Sequence, residues 1–202
     1  MKNVERAILL AILILAFACS VGIAQNATTY SLGLTIPQME QRWNQCCRDL
    51  KNPGHALYIV NLKTIKTQRE EFFEHMIKGT KTNILGDAAL GTRMLSSLGI
   101  STWSTTPLEA VRMMMSWCFI IKVTNPSLSY TQVGEVLKKL GIEDKDSKLF
   151  EKKREAIVGQ VRYTIESADS WPFFFTARDV NQPLSDPRGI DDALRNKAPL
   201  MK

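Results

Sequence analysis

The sequence predicts an α+β fold: a single domain built on a mostly antiparallel sheet, with about three helices packed on one face. Two observations lead to this prediction. Segments 35–51, 106–124 and 129–140 carry the start and stop signals of helices. Between and after them lie stretches rich in β-branched and aromatic residues, which favour strands. The chain has no internal repeat and no interdomain linker, so one shared core is expected.

The first helix is predicted from "TIPQMEQRWNQCCRDL". Thr35 fits the N-cap position, and Gln38 completes a capping box. Apolar residues then recur every three or four positions and form one stripe, which consists of Met39, Trp43, Cys46, Cys47 and Leu50. Asn52-Pro53-Gly54 ends the helix. Both cysteines are therefore expected at or near the core.

Strands are predicted on both sides of the second and third helices. Residues 56–66 are rich in β-branched residues and predict one strand, and 71–77 predict a second. The glycine-broken region 80–104 favours one or two further strands over a helix. The second helix is capped by Thr106 and is largely apolar, which predicts burial on all sides. After the third helix, "AIVGQVRYTIESADSWPFFFTARDV" has the pattern of a β-hairpin.

Residues 1–24 have the layout of a secretory signal peptide. A positive start is followed by the uninterrupted apolar run Ala7–Ala18 and then by small residues, with cleavage expected after Ala24. The alternatives are an uncleaved membrane anchor and lipidation at Cys19. Attachment to the membrane is expected only in these two cases. The sequence therefore predicts export to the periplasm or the extracellular space.

The exported part is predicted to comprise a domain at 25–180 and a flexible polar tail at 181–202, which contains three prolines. Removing 1–24 takes away two cations and one anion, which lowers the net charge from +6 to +5. The basic residues do not form a stripe, because 138–155 mixes seven cations with five anions. Nucleic-acid binding is not expected from this pattern.

The adjacent cysteines of the first helix raise the question of a disulfide. Neighbouring Cα atoms lie about 3.8 Å apart, which is closer than the roughly 4.4 Å that a disulfide requires. Cys118 on the second helix is the better partner for Cys46 or Cys47, because export permits oxidation. The alternative is that all three are reduced core residues. A metal site is not expected, since the pair lacks the Cys-x-x-Cys spacing.

The sequence contains no motif that points to catalysis or to a cofactor. His55 follows a helix stop and His75 lies on a strand, where a packed histidine is the usual outcome. The acidic residues at 143–146 lie in a charged loop that has no apolar setting to raise a pKa. A serine nucleophile motif and a phosphate-binding loop are both missing from the sequence. A non-enzymatic protein without a cofactor is therefore expected.

The aromatic run near the end of the domain is the candidate contact surface, formed by Trp171, Phe173, Phe174 and Phe175. Successive residues of a strand point to opposite faces of the sheet. One face is expected to lie under the helices, and the other calls for a cover, which could be the tail, a ligand or a partner protein.

The combination of a signal peptide, "LTIPQMEQRWN", "TTPLEAVRMMMSWCFIIKVTNPSLSYTQVGEVLKKLGI" and "VRYTIESADS" resembles small exported bacterial proteins and lipoproteins of uncharacterised families. The resemblance spans roughly residues 34–178. It implies a bacterial envelope location and no particular activity.

The leading hypothesis is an exported non-enzymatic protein that binds another envelope protein. An immunity or exclusion factor that neutralises a toxin or a transfer apparatus is an alternative of the same class. A carrier for a small apolar ligand, with a pocket beside Met113–Met115, is the second class. An enzyme that uses a thiol is the third.

Overall fold

The structure is a computed structural model, and it describes residues 30–50, 57–67, 70–102, 106–142, 153–166 and 173–182. The predictions for the signal peptide, lipidation at Cys19, Trp171 and most of the tail from 181 onward fall outside these ranges. So do the predictions for His55 and for the acidic loop at 143–146.

The described chain contains three helices and seven strands. The helices are α1 (Ile36–Asp49), α2 (Pro107–Thr124) and α3 (Tyr130–Lys139). The strands are β1 (Thr64–Lys66), β2 (Glu70–Met76), β3 (Thr82–Ala89), β4 (Leu95–Thr102), β5 (Arg154–Val158), β6 (Val161–Glu166) and β7 (Phe173–Asp179). All seven strands belong to one antiparallel sheet. The predicted α+β class is therefore confirmed.

The strands lie in the order β1-β2-β3-β4-β7-β6-β5. The first four form a meander, and the chain then passes through α2 and α3 to the far edge of the sheet. It returns through β5 and β6 to β7, which pairs with β4. The two central strands are thus far apart in the sequence, with Ile100 directly opposite Phe175.

The helices begin where the sequence predicted. The Thr35 side chain accepts a hydrogen bond from the Gln38 backbone, and the Gln38 side chain accepts one from the Thr35 backbone. Ser129 and Gln132 repeat this capping box at the start of α3. Each box satisfies backbone N–H groups that a helix start would otherwise leave without acceptors.

The strand predicted over 56–66 is wrong for residues 57–63. Only Thr64–Lys66 joins the sheet, whereas Leu57 and Ile59 are buried against α1 outside any strand. The Asn44 side chain donates to the Ile59 carbonyl and accepts from the Ile59 N–H, both at 2.9 Å. The Trp43 indole N–H donates to the Leu57 carbonyl at 2.7 Å. Side chains of α1 therefore occupy the backbone groups that a neighbouring strand would have bonded.

The core lies between the helices and one face of the sheet. Helix α2 rests on the central strands β4 and β7, and both α1 and α3 pack against α2. Trp117 of α2 stacks on Phe175 of β7 with ring centroids 5.5 Å apart, and Trp43 of α1 meets Phe119 edge-on at 5.2 Å. The buried aromatic side chains therefore connect α1 to α2 and α2 to the centre of the sheet.

Candidate functional site

The second face of the sheet, opposite the helices, is the candidate site and is called the open face below. Cross-strand pairing aligns one row of side chains over the whole width of this face. The row runs Ile65, Phe72, Asp87, Ser97, Arg178, Arg162, Ile157. It begins and ends with apolar residues and has charged residues on both sides of a central serine.

One corner of the open face is apolar and exposed. Ile65 of β1 lies directly opposite Phe72 of β2, and Met76 lies on the same face of β2 four residues further on. Ile65 is 55% exposed and Met76 is 49% exposed, while Phe72 is half-buried. We call Ile65, Phe72 and Met76 the apolar corner.

The centre of the open face is polar and buried. Ser97 is fully buried, Thr176 is 5% exposed and Arg178 is 3% exposed. The Ser97 hydroxyl donates to an Asp87 carboxylate oxygen at 2.7 Å. Because the described helices lie on the other face, they do not produce this burial.

Two arginines stand side by side next to this centre. Arg162 of β6 is directly opposite Arg178 of β7, an arrangement of like charges that destabilises a sheet unless acceptors offset it. Glu155 lies 3.3 Å from the Arg162 Nε atom and offsets part of the charge. Near the same edge, Lys153 forms an ion pair with Glu166.

The structure divides the aromatic residues that the sequence grouped as one surface. Phe175 is buried under the helices, and Phe173 is half-buried with its ring centroid 6.5 Å from that of Trp117. Phe174 points to the open face, where it is half-buried and shares a cross-strand row with Ser101, Asn83 and Met76. Of the described members, only Phe174 therefore contributes to the open face.

The predicted bridge from Cys46 or Cys47 to Cys118 is not formed in the structure. All three cysteines are free thiols, with Cys46 and Cys47 buried and Cys118 partly buried. Burial raises the pKa of Cys46 and of Cys118 to about 11 and that of Cys47 to about 12. At neutral pH each thiol therefore stays protonated, and a thiol is a poor nucleophile.

The remaining candidate residues lie within the packed part of the molecule. His75 is directly opposite Ile84, on the face of the sheet that the helices cover. Met113 is buried and Met114 and Met115 are half-buried on α2, where the neighbouring Trp117 ring already rests on the sheet. Within the described ranges, His, Cys, Asp and Glu side chains form no group of three that could hold a metal ion.

Sequence reasoning missed the charged row of the open face. The alternation in "VRYTIE" indicates that Arg162 and Tyr163 point to opposite faces. It does not indicate that Arg162 would lie beside Arg178, because that neighbour depends on the register between β6 and β7. The exposure of Ile65 could not be predicted either, because it follows from the position of β1 at the edge of the described sheet.

The fold and this surface define an α+β domain in which helices cover one face of the sheet, while the other face has a buried polar centre and an exposed apolar corner. In the described part of the chain, no helix is both long and apolar enough to span a membrane. Comparison with protein-family models, with curated proteins and with solved structures finds no match to this chain.

Proposed function

We propose that this chain is an exported, non-enzymatic binding protein of the bacterial envelope, which contacts another protein through the apolar corner of its open face. The observation that carries the proposal is the apolar corner itself. Ile65 and Phe72 are directly paired at the β1 edge of this face, and Met76 lies on the same face of β2 four residues beyond Phe72, with Glu74 between them. Ile65 and Met76 are about half exposed. Clustered apolar side chains with polar neighbours are typical of surfaces that bind protein.

The position of the corner supports a contact role over a role in packing. The side chains next to Ile65 and Phe72 in the same row become polar at Asp87 and Ser97. An apolar group with a polar border resembles the core and rim of a protein interface. Without a partner, an exposed apolar residue on the edge strand β1 would favour aggregation.

The thiols support the non-enzymatic part of the proposal. Burial raises the pKa of Cys46, Cys47 and Cys118 well above neutral pH, which suits core residues and not nucleophiles. Export is proposed from the layout of residues 1–24, and a contact partner in the envelope follows from it.

Site-specific photo-crosslinking tests the contact. A photoreactive phenylalanine analogue is placed at Ile65, and the matched control carries it at Leu108, an exposed residue of α2 on the helix side. In cells that export the chain, we expect a covalent adduct of one defined mass from position 65 and none from position 108. Adducts of equal yield from both positions, or none from position 65, would contradict the proposal.

The identity of the adduct separates the two forms of this function. A partner that belongs to the same envelope would support a resident binding role. A partner that enters from outside, such as a toxin or a component of a transfer apparatus, would support the immunity or exclusion role.

A further inference from the structure

The first strand, β1, lies at one edge of the described sheet, next to β2. The Thr67 N–H donates to the Glu70 carbonyl at 2.9 Å and closes the turn between the two strands. Hydrogen-bonded and non-hydrogen-bonded positions alternate along an antiparallel ladder, so the backbone of Ile65 bonds to β2. The backbone groups of Thr64 and Lys66 therefore point away from β2, towards the outer edge.

These outward groups make the edge a template for one more strand. Thr64 and Lys66 together present two N–H donors and two carbonyl acceptors. Within the described ranges, no strand other than β2 pairs with β1. An extended segment of another protein can add to such an edge, because its backbone supplies the complementary acceptors and donors. The backbone of β1 thus favours an occupant in the extended conformation.

The side chains around β1 favour a particular composition of that segment. Ile65 is 55% exposed on the open face beside Phe72, which suits an apolar side chain directly opposite it. Lys63 and Lys66 lie on either side of Ile65 in the chain, and both are exposed. In the described part of the molecule neither lysine forms a salt bridge. Opposite charges on neighbouring strands stabilise a sheet, so acidic residues fit beside the apolar one.

We propose that the partner of the apolar corner adds an extended, acidic segment to the outer edge of β1, as one more strand of the sheet. This proposal rests on the contact proposed above and specifies its geometry. An apolar side chain of the segment packs on Ile65, and its backbone bonds to Thr64 and Lys66. The β1 strand of a second copy of this chain does not fit, because it contains a lysine and no acidic residue.

Hydrogen exchange of the crosslinked adduct tests the added strand. The exchange rates of the Thr64 and Lys66 amides are measured in the free chain that carries the photoreactive analogue at Ile65, and in its purified adduct. We expect both amides to exchange about tenfold or more slowly in the adduct, because the added strand bonds to them. The amide of Ile157, on the opposite edge strand β5, is the control and should keep its rate.

The outcomes separate this proposal from the contact on which it rests. An adduct that forms but leaves the Thr64 and Lys66 rates unchanged would overturn the added strand and leave the contact standing. Failure to form any adduct from position 65 would overturn both.

Two substitutions at one position distinguish the backbone from the charge. Lys66→Ala removes the charge, whereas Lys66→Pro also removes the outward N–H. Proline is tolerated on an edge strand where the N–H faces away from the sheet, so the bonds between β1 and β2 should remain. We expect the adduct yield from position 65 to be about three- to tenfold lower for Lys66→Pro than for Lys66→Ala.

Equal yields from the two variants, both with the urea midpoint of the wild type, would overturn the added strand. If Lys66→Pro lowers that midpoint, the exchange rates of the adduct decide instead, since they need no substitution at Lys66.

The partner peptide in the adduct tests the charge of the segment. Mass spectrometry of the digested adduct should identify an Asp or Glu adjacent to the crosslinked partner residue or one position further along. Lys63→Glu should lower the adduct yield, whereas Lys139→Glu on the exposed side of α3 is the control and should not. A partner peptide without acidic residues there, or equal yields from the two variants, would overturn the acidic character of the segment.

Discussion

Arg93 donates two hydrogen bonds, each 3.0 Å long, to the carboxylate of Glu71, which is only 1% exposed. The two residues lie at the same end of the sheet, and the backbone of Arg93 has a positive φ of 56°. The pair joins β2 to the turn between β3 and β4. Its carboxylate is therefore the strongest candidate for a pH-dependent contribution to stability.

Acid should weaken this pair. Burial by itself raises the pKa of Glu71, but hydrogen bonds from Arg93 and Thr64 and the charges of Arg93 and Lys66 outweigh it, so the pKa lies below its ordinary value of 4.5. The contribution is complete above that ordinary value and is lost as the pH falls through the lowered pKa of the folded state. Glu71→Gln should cost about 1–3 kcal/mol of unfolding free energy at neutral pH.

Urea unfolding between pH 6 and pH 3, roughly the range over which a carboxyl group titrates, measures this effect. The wild-type chain should lose more unfolding free energy over this range than Glu71→Gln does. Identical pH profiles for the two chains would show that the carboxylate does not contribute in this way.

Two glycine substitutions should change stability in opposite directions. A Cβ atom at Gly86 in β3 would lie 2.4 Å from the Phe73 ring, whereas one at Gly134 in α3 meets nothing within 4 Å. Gly86→Ala should therefore cost about 1–3 kcal/mol through overpacking, and Gly134→Ala should gain about 0.5–1 kcal/mol through helix propensity. Thermal unfolding of both variants and the wild type measures the two changes in stability. A Gly86→Ala variant as stable as the wild type would contradict the close contact between position 86 and Phe73.

Removing the hydroxyl of Tyr163 should destabilise the chain without changing its fold. This buried hydroxyl bonds to the Thr124 hydroxyl at 2.7 Å and accepts from the Asn125 side chain at 2.5 Å, which ties the end of α2 to β6. Tyr163→Phe should cost about 1–2 kcal/mol. Denaturant unfolding should give a lower midpoint with an unchanged slope; a changed slope would indicate altered compactness instead.

A charge at the apolar corner should abolish partner capture and leave the fold intact. Ile65→Glu places a carboxylate at an exposed position of β1, and Val111→Glu does the same on α2, where Val111 is similarly exposed. We expect the crosslinked adduct to disappear, or the binding constant to weaken about tenfold or more, only for Ile65→Glu. If both variants lost partner binding equally while their circular dichroism spectra showed a folded chain, the apolar corner would not be the contact surface.

The described thiols should react slowly with alkylating reagents. Because burial raises the pKa of Cys46 to about 11 from an ordinary 9.0, its thiolate fraction at pH 8 is about a hundredfold lower in the folded chain than in the unfolded one. Alkylation mapped by peptide mass should be slow in buffer and fast in urea, with the native rate still rising above pH 9. One fast-reacting native thiol among the three would revive the hypothesis of a thiol-dependent enzyme.

The sequence predicted the features that depend on nearby residues. The capping boxes at Thr35 and Ser129 formed as expected, because cap and partner are three residues apart. The period of two in the aromatic run was expected to send its side chains to both faces of the sheet, and Phe174 and Phe175 lie on opposite faces. The strand predicted around Ile59 does not form, because the Asn44 side chain binds the Ile59 backbone. A contact between residues so far apart in the chain has no signal in the local sequence.

The pairing of β4 with β7 has a consequence for how the chain matures. The two halves of the sheet meet only through this pair, and β7 is the last described strand. A growing polypeptide cannot join the two halves of the sheet until β7 has been synthesised, because β7 lies between β4 and β6. The export proposed above would be aided by this delay, because a sheet that still lacks its central strand cannot complete its fold before the chain crosses the membrane.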